Sequence, residues 1–308
     1  MKYLNENNII TSLHIGGLAG MSAVDAIEII HEKLLNSRLN NVPSILISID
    51  QTSAFTMIEH KILIKKLEHI GFNFNSLNLM KSYLNNRTQR VSFNGSISEE
   101  LNIGDKGCFQ GSLMATLLYI IYVLDQPSIA HLNCDHLSNN EENEDCTANL
   151  SINYIDDNMS EIIADKWNYI ERNTEIFLNN QLQYHINNKL TFNNDKTIVM
   201  FNSKVKKNKK KIIRFKNKNL IHSNNIIMLG IIYNDKLNFK DHIKNGNKKK
   251  KSLIKRIKQK INLIKNIKYW MSKEELKLIA NVYINGILNY GLQMWSKESF
   301  KFIDQLEN

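Results

Sequence analysis

The chain has 308 residues, of which 43% are hydrophobic and 23% charged, so it can bury a core and is not a disordered tail. No run of about 18 apolar residues occurs, which predicts no membrane span. The net charge of +10 is unevenly divided: residues 1–200 carry 14 Lys and Arg against 23 Asp and Glu, and residues 201–308 carry 26 against 7. A basic half of this kind favours nucleic acid as a partner over a merely solvated lysine surface.

In the first hundred residues, apolar side chains recur at helical spacing and predict helices at 22–39, 57–69 and about 76–84. Ser22 is placed to cap the first helix, and Gly71 to end the second. The short apolar run ILISI at 45–49 predicts a buried strand that ends at Asp50. The segment RVSFNGSIS predicts a hairpin, because Asn94-Gly95 suits a tight two-residue turn.

The middle of the chain places two adjacent carboxylates at a predicted turn. An almost wholly apolar segment at 112–124 predicts a buried helix, and the polar, acidic segment 133–150 predicts a loop. The runs SINYI and NMSEIIA then flank Asp156 and Asp157, which predicts a second hairpin with both aspartates at its turn.

The last part of the chain is predicted to change from strands to basic helices. A long helix is expected at about 166–187, followed by three strands in the runs TIVMF, IIRF and MLGIIY. From Asp241 onward the pattern is helical to the end, and residues 241–268 are expected to form one lysine-lined helix.

Two adjacent carboxylates repel each other unless a cation lies between them. If the strand that ends at Asp50 and the hairpin that carries Asp156 are neighbours, Asp50 and Asp156 can share a hard divalent ion, with Asp157 beside them. Mg²⁺ is such an ion, and it prefers carboxylates together with substrate phosphates. Two such ions suit a nucleotidyl transferase. The alternative is a solvated turn, because Asp and Asn also favour turns for conformational reasons.

Seven motifs in order resemble the reverse transcriptases of non-LTR, LINE-type (jockey-like) retrotransposons. Any one of them alone is a weak signal, whereas their order and separations are specific. They are SIDQTSAF at 48–55, the stretch from HKILIKKLEHIGF to NGSIS at 60–98, GCFQGS at 107–112, NYIDDN at 153–158, NNKLTFNNDKTIVMF at 187–201, MLGIIYNDKLNFKDHI at 228–243 and VYINGILNYGLQMW at 282–295.

The resemblance implies an α+β right-hand polymerase with an antiparallel-sheet palm and a helical basic thumb. Fingers and palm are expected at 1–235, with the palm core at about 44–56 and 104–235, and the thumb-like region at 236–308. The fingers are expected to be truncated, because the family's upstream segment does not precede residue 1. The implied partners are an RNA template, a DNA primer and dNTPs. The sparse cysteines and the lack of a signal peptide predict an intracellular protein, in the cytoplasm or nucleus.

The resemblance also assigns roles to individual residues. Asp50, Asp156 and Asp157 are implied to be catalytic ligands of two Mg²⁺ ions, with Mn²⁺ as a substitute. Phe55 is implied to exclude a 2′-hydroxyl from the sugar site. The remaining substrate contacts are implied at Gln110, Gly111, Lys196 and Gly230, and nucleic-acid contacts at Lys248, Lys249, Lys250 and Lys251.

Several of these assignments have a structural alternative. Phe55 also suits core packing, Gln110 a satisfied loop amide and Lys196 a solvated surface. The chain departs from the family pattern where basic residues are usual, as at Ser53, Leu18 and Met21. A catalyst without such cations loses transition-state stabilisation. The alternative function is therefore a catalytically weak or inactive retroelement relic that binds nucleic acid at most.

Overall fold

A computed structural model describes residues 2–7, 9–51, 54–109, 111–126, 150–164, 166–202, 213–216 and 218–296. Most of the predicted loop at 133–150 lies outside these residues. The helices are α1 (Lys2–Glu6), α2 (Ala23–Leu39), α3 (His60–His69), α4 (Phe74–Leu84), α5 (Leu113–Tyr122), α6 (Trp167–Asn187), α7 (Leu253–Ile267), α8 (Lys273–Ala280) and α9 (Gly286–Asn289). Among the described residues, no helix is both long and apolar enough to cross a membrane.

The described strands form one five-stranded sheet and several two-stranded ladders. They are β1 (Ser44–Asp50), β2 (Thr88–Gln89), β3 (Ser92–Phe93), β4 (Ser96–Ile97), β5 (Leu101–Asn102), β6 (Leu150–Tyr154), β7 (Asp157–Ile163), β8 (Ile198–Phe201), β9 (Arg214–Phe215), β10 (Lys218–Asn219), β11 (Ile221–His222), β12 (Asn225–Met228) and β13 (Ile231–Asn234). The five-stranded sheet has the order β11-β8-β1-β7-β6. Its pairings are antiparallel except that β11 runs parallel to β8.

The central strand β1 is buried on both faces, which explains why its sequence is a continuous apolar run. Ile45, Ile47 and Ile49 pack with the apolar residues of α6 on one face. Leu46 belongs to the cluster that includes α2, the β12–β13 hairpin and α7 on the other. Burying each such side chain contributes about 1.5–3 kcal/mol. The sheet is thereby held between helices, and its strand ends have fixed positions.

Local signals in the first hundred residues are confirmed. Ser22 caps α2 in a capping box, since its hydroxyl accepts from Asp25 N–H and its own N–H donates to the Asp25 carboxylate at 2.6 Å. Asn94 and Gly95 both have positive φ, at 48° and 82°, and join β3 to β4 as the predicted tight turn. These sites are determined by neighbouring residues, which is why the sequence identifies them.

The prediction of a single strand over MLGIIY is wrong. The chain reverses at Leu229 and Gly230, whose φ values are 42° and 86°, and β12 pairs with β13 as a hairpin. Glycine adopts this conformation easily, but leucine does so only at a cost that the surrounding packing must offset. The apolar run alone therefore indicated a single strand, whereas the family resemblance implied that Gly230 lies in a strand turn, as the structure has it.

The prediction of one continuous helix over 241–268 is also wrong. A π-helical turn covers Asp241–Asn245, and α7 begins at Leu253 after a non-helical segment that contains Lys248–Lys251. Gly246 has φ 74°, and a Cβ there would lie 2.8 Å from Ser252 N, so the backbone folds back on itself. Asn247 holds the turn, because its side-chain oxygen accepts from Lys249 N–H and Lys250 N–H.

His14 joins the N-terminal segment to the rest of the core and makes stability depend on pH. The ring is 1% exposed and donates from Nε2 to the Val123 carbonyl at 2.8 Å. Burial lowers the pKa of His14 to about 4, against the opposing effects of this hydrogen bond and of Asp125. Because the pKa of His14 in the folded state lies below the ordinary 6.5, neutral His14 contributes its full stabilisation of the folded state above pH 6.5. This stabilisation is lost as the pH falls toward 4.

We therefore expect the wild-type chain to lose about 3 kcal/mol of unfolding free energy through this group between pH 6.5 and pH 4. In His14→Gln, this component of the pH dependence should disappear, since glutamine does not titrate. Urea unfolding at several pH values measures the effect. His69→Gln, at an exposed position on α3, serves as the control and should keep the wild-type slope. Identical slopes in wild type and His14→Gln would contradict the assignment.

Candidate active site

Two of the predicted catalytic aspartates face each other across adjacent strands. Asp50 is the last residue of β1 and is the cross-strand partner of Asp157, the first residue of β7. Directly opposed residues on antiparallel strands project from the same face, with Cβ atoms about 4.5–5.5 Å apart. Asp156, which was predicted to be the partner of Asp50, lies instead in the turn between β6 and β7, and Asp157, which was predicted at that turn, is already the first residue of β7. The fold thus brings all three aspartates to one end of the sheet.

The turn that carries Asp156 has a strained backbone. Ile155 has φ 57°, which is unfavourable for a β-branched residue, so the surrounding structure must hold it in place. Gly16 contributes, because its backbone approaches so closely that a Cβ would lie 2.8 Å from Ile155 N. Asn153 N–H also donates to the Leu13 carbonyl at 2.9 Å. The N-terminal segment therefore braces the turn.

Negative charge accumulates at this strand end. Partial desolvation of Asp157, with the neighbouring carboxylates of Asp156 and Asp50, raises the pKa of Asp157 to about 6. Lys196 supplies the opposing charge, since its Nζ lies 3.7 Å from Asp50 Oδ1 while both side chains are about half exposed. Lys196 was predicted to contact substrate, and the structure places it beside the aspartates.

The carboxylate oxygens at this strand end are the kind of ligand that a hard divalent cation prefers. Asp50 and Asp157 are opposed carboxylates on one face, and a cation between two such carboxylates offsets their mutual repulsion. The three carboxylates do not converge on a point, however: in the described part of the chain no three His, Cys, Asp or Glu side chains are arranged to hold a metal ion. The observed pair therefore fits a site whose remaining ligands include substrate oxygens, as Mg²⁺ prefers.

A buried amide network that the sequence reasoning missed joins the end of β1 to β6, the strand that leads into the turn with Asp156. Gln51, the residue after Asp50, donates to Gln126 Oε1 at 3.0 Å, and Asn153 of β6 donates to the same oxygen at 3.1 Å. Tyr119 donates its hydroxyl to Gln51 Oε1. Polar side chains inside apolar runs, as in SIDQ and SINYI, are the signal that could have revealed it, because buried amides require partners.

Phe55 lies beside the glycine-rich loop at 107–111. Its carbonyl accepts from Cys108 N–H at 2.8 Å, and its half-buried ring packs on Tyr119 with centroids 5.1 Å apart. Gly111 has φ 89° with open space around it, so the conformation requires glycine there. Gln110 lies outside the described residues. The structure thus brings Phe55 and Gly111 into the same region, while Phe55 also contributes to the core.

Gly230 and the lysine run meet at the β12–β13 turn. Gly230 occupies the β12–β13 turn, and its carbonyl accepts from Lys250 Nζ. Lys248, Lys249 and Lys251 are exposed, whereas Lys250 is partly buried against this turn. The four lysines are therefore not equivalent, although the sequence treated them as one phosphate-binding run.

Arg87 is a cation near the glycine-rich loop that the sequence reasoning did not select. Its guanidinium stacks on the ring of Tyr83 and on the ring of Phe109, at 5.0 and 4.9 Å. The ring of Phe109 supplies one of the two aromatic faces in this contact. Such stacking is worth about 0.5–1 kcal/mol at exposed sites.

Known proteins give the context for this arrangement. A family model described as reverse transcriptase (RNA-dependent DNA polymerase) matches residues 16–233. No curated protein matches the chain at a significant level. Among solved structures, apo telomerase from Candida tropicalis, truncated from its C-terminal domain, is similar with a TM-score of 0.50 and 13% identity over 76% of this chain and 42% of that one.

A second C. tropicalis telomerase structure, in complex with a TWJ fragment of telomeric RNA, has a TM-score of 0.47 and 13% identity, over 92% of this chain and 43% of that one. The chain spans less than half of either telomerase. At 13% identity the first likeness concerns the fold alone, which is the right-hand polymerase fold. The family match covers more than half of this chain and includes all three aspartates. The chain belongs to the reverse transcriptase (RNA-dependent DNA polymerase) family.

Proposed function

We propose that this chain is the polymerase domain of a non-LTR, jockey-like retroelement and extends a DNA primer with dNTPs on an RNA template. The observation that carries the proposal is the placement of Asp50 opposite Asp157, with Asp156 in the adjoining turn. The seven ordered sequence motifs support the non-LTR subclass. Action on such nucleic acids is consistent with an intracellular location, cytoplasmic or nuclear.

Asp50, Asp156 and Asp157 would hold the divalent ions, two Mg²⁺ or in their place Mn²⁺. When bound, these ions neutralise charge at the reacting phosphate. The protein fixes the positions of the carboxylates: the paired strands β1 and β7 hold Asp50 and Asp157 on one face, and the turn braced by the N-terminal segment holds Asp156. Lys196 neutralises Asp50 at 3.7 Å, and its exposed ammonium can turn to a triphosphate oxygen.

A second candidate function is nucleic-acid binding without turnover. It is favoured by the lack of convergence among the three carboxylates within the described residues, and by the departures at basic family positions. Sugar selection distinguishes the two functions, because a protein that only binds nucleic acid incorporates neither kind of nucleotide.

Phe55→Val should therefore relax the preference for deoxyribonucleotides. The ring sits at the edge of the core against Tyr119, and in the proposed pocket its face fills the space that a 2′-hydroxyl would need. We expect dNTP-over-NTP selectivity to fall by roughly 10²-fold, mainly through faster ribonucleotide incorporation. Single-nucleotide extension with dNTP and with the matching NTP measures the ratio.

The matched control is Phe93→Val, which changes an exposed ring on the β3–β4 hairpin, and it should keep the wild-type selectivity. Unchanged selectivity in Phe55→Val, with activity retained, would assign Phe55 to core packing alone. Absence of any extension in wild type would favour the binding protein.

A further inference from the structure

Tyr119 is a buried tyrosine of α5, the helix that follows the glycine-rich loop, and it contacts two parts of the candidate site. Its ring packs on the ring of Phe55, with centroids 5.1 Å apart and planes tilted by 37°. Its hydroxyl donates to Gln51 Oε1, and Gln51 follows Asp50 in the chain. One side chain thus joins the residue proposed to select the sugar to the strand end that carries a predicted metal ligand.

The acceptor of the Tyr119 hydroxyl is itself held in place. Gln51 is buried, and its Nε2 donates to Gln126 Oε1 at 3.0 Å. Gln126 is fully buried, accepts from Asn153 Nδ2 at 3.1 Å and donates to Gln181 Oε1 of α6 at 3.0 Å. Rotation of any of these amides would leave buried polar atoms without partners, which is costly. The Tyr119 hydroxyl therefore has a fixed acceptor, and this limits the movement of its ring.

The backbone of Phe55 is fixed independently of its ring. Phe55 lies in the 3-10 turn Ala54–Met57, and its carbonyl accepts from Cys108 N–H at 2.8 Å. Its side chain is only half-buried, and it packs against the buried cluster to which Tyr119 belongs. Aromatic pairs have preferred geometries and attract each other beyond the effect of buried area. The position of the Phe55 ring therefore depends on the ring of Tyr119 behind it.

We propose that Tyr119 is a positioning residue for sugar selection, because it holds the Phe55 ring where that ring clashes with a 2′-hydroxyl. This inference rests on the proposed polymerase function and on the role proposed there for Phe55. With a smaller side chain at position 119, the Phe55 ring can sink toward the core, and space for a 2′-hydroxyl opens. Tyr119 is fully buried, so it acts through Phe55 and not by touching the nucleotide.

Single-nucleotide extension with dNTP and with the matching NTP tests this role. Tyr119→Leu removes the ring and should lower dNTP-over-NTP selectivity about 10-fold. Tyr119→Phe keeps the ring and lacks only the hydrogen bond to Gln51, so its loss of selectivity should be smaller.

The matched control is Tyr233→Leu. Tyr233 is an equally buried tyrosine in a different apolar cluster, and its hydroxyl is likewise hydrogen-bonded, to His31. This variant should also lose stability but should keep the wild-type selectivity. Wild-type selectivity in Tyr119→Leu, or an equal loss of selectivity in Tyr233→Leu, would overturn the proposal.

A double-mutant cycle with Phe55→Val shows whether Tyr119 acts through the Phe55 ring. If it does, Tyr119→Leu should cause no further loss of selectivity once that ring has been removed. The double variant should then select sugars as Phe55→Val does. Two effects that multiply in the double variant would mean that Tyr119 acts by another route, which is contrary to the proposal.

Fluorine NMR measures the placement of the ring without any turnover. In a chain labelled with 4-fluorophenylalanine, the Phe55 signal is the one absent from Phe55→Val. This signal should shift in Tyr119→Leu, because the neighbouring aromatic ring is gone, and should stay unchanged in Tyr233→Leu. Thermal unfolding is measured first, and Tyr119→Met, which fills more of the space, replaces Tyr119→Leu if that variant lacks a cooperative transition. A Phe55 signal that ignores the change at position 119 would refute the positioning role.

The two measurements separate this inference from the proposed function. A wild-type chain that adds no nucleotide fails the proposed function, whereas a Phe55 signal that still responds to Tyr119→Leu supports the positioning of the ring. An active polymerase whose sugar selectivity depends on Phe55 but not on Tyr119 fails only this inference.

Discussion

Replacing Asp156 with asparagine is expected to lower nucleotide incorporation by about 10²–10³-fold or more while leaving primer–template affinity nearly unchanged. Asp156 lies in the turn next to Asp157 and contributes to the negative charge that raises the pKa of Asp157. The carboxylate is proposed to act at the reacting phosphate, whereas we expect affinity to come mainly from basic residues, through the phosphate backbone. Single-turnover extension and an equilibrium binding assay measure the two quantities separately.

The control for this variant is Asp105→Asn, an exposed carboxylate in the segment between β5 and α5, which should retain wild-type activity. Without metal, Asp156→Asn should be as stable as wild type or slightly more stable, because one repulsive neighbour of Asp157 is removed. Equal extension rates for wild type and Asp156→Asn would remove Asp156 from the catalytic site. A parallel loss of nucleic-acid affinity would indicate a structural role instead.

Gly16→Ala is expected to lower incorporation by about 10²-fold, although residue 16 is far from the aspartates in sequence. The added Cβ would lie 2.8 Å from Ile155 N, which is backbone and cannot rotate away. The β6–β7 turn must then shift together with Asp156. A displacement of about 1 Å in a catalytic group costs on the order of 10²-fold in rate. The measurement is kcat with saturating primer–template and dNTP.

Gly20→Ala provides a matched comparison. Gly20 has φ 80° and open space around it, so alanine adds backbone strain of about 1 kcal/mol without contacting the turn. It should therefore lower stability but not kcat. If both variants lost activity in proportion to stability, the bracing role of Gly16 would be wrong.

The features that could be predicted from sequence depend on neighbouring residues. Ser22 with Asp25 defines the start of α2, and Asn94-Gly95 defines a hairpin, because capping and tight turns involve atoms only a few residues apart. The strand that ends at Asp50 was predicted from a continuous apolar run. Its approach to the two adjacent aspartates was predicted only under the assumption that the strands are neighbours, which the fold satisfies, but the residue opposite Asp50 is Asp157 and not the predicted Asp156.

The features that could not be predicted depend on tertiary packing. Leu229 adopts a positive φ that its residue type disfavours, and Lys250 and Tyr290 hold the turn from distant parts of the chain. The helix expected over 241–268 is interrupted where Gly246 folds back against the backbone at Ser252. The propensity of lysine for helices is a weak preference that such packing overrides.

RNA-templated extension of a DNA primer by the purified wild-type chain tests the central claim most directly. With Mg²⁺ and the single dNTP complementary to the next template base, we predict a primer longer by one nucleotide. The product should be lost when the metal is chelated and should change identity when the template base is changed. A chain that binds the same primer–template with steep salt dependence, yet adds no nucleotide with Mg²⁺ or Mn²⁺ on any template, would contradict the account and leave the nucleic-acid-binding protein in its place.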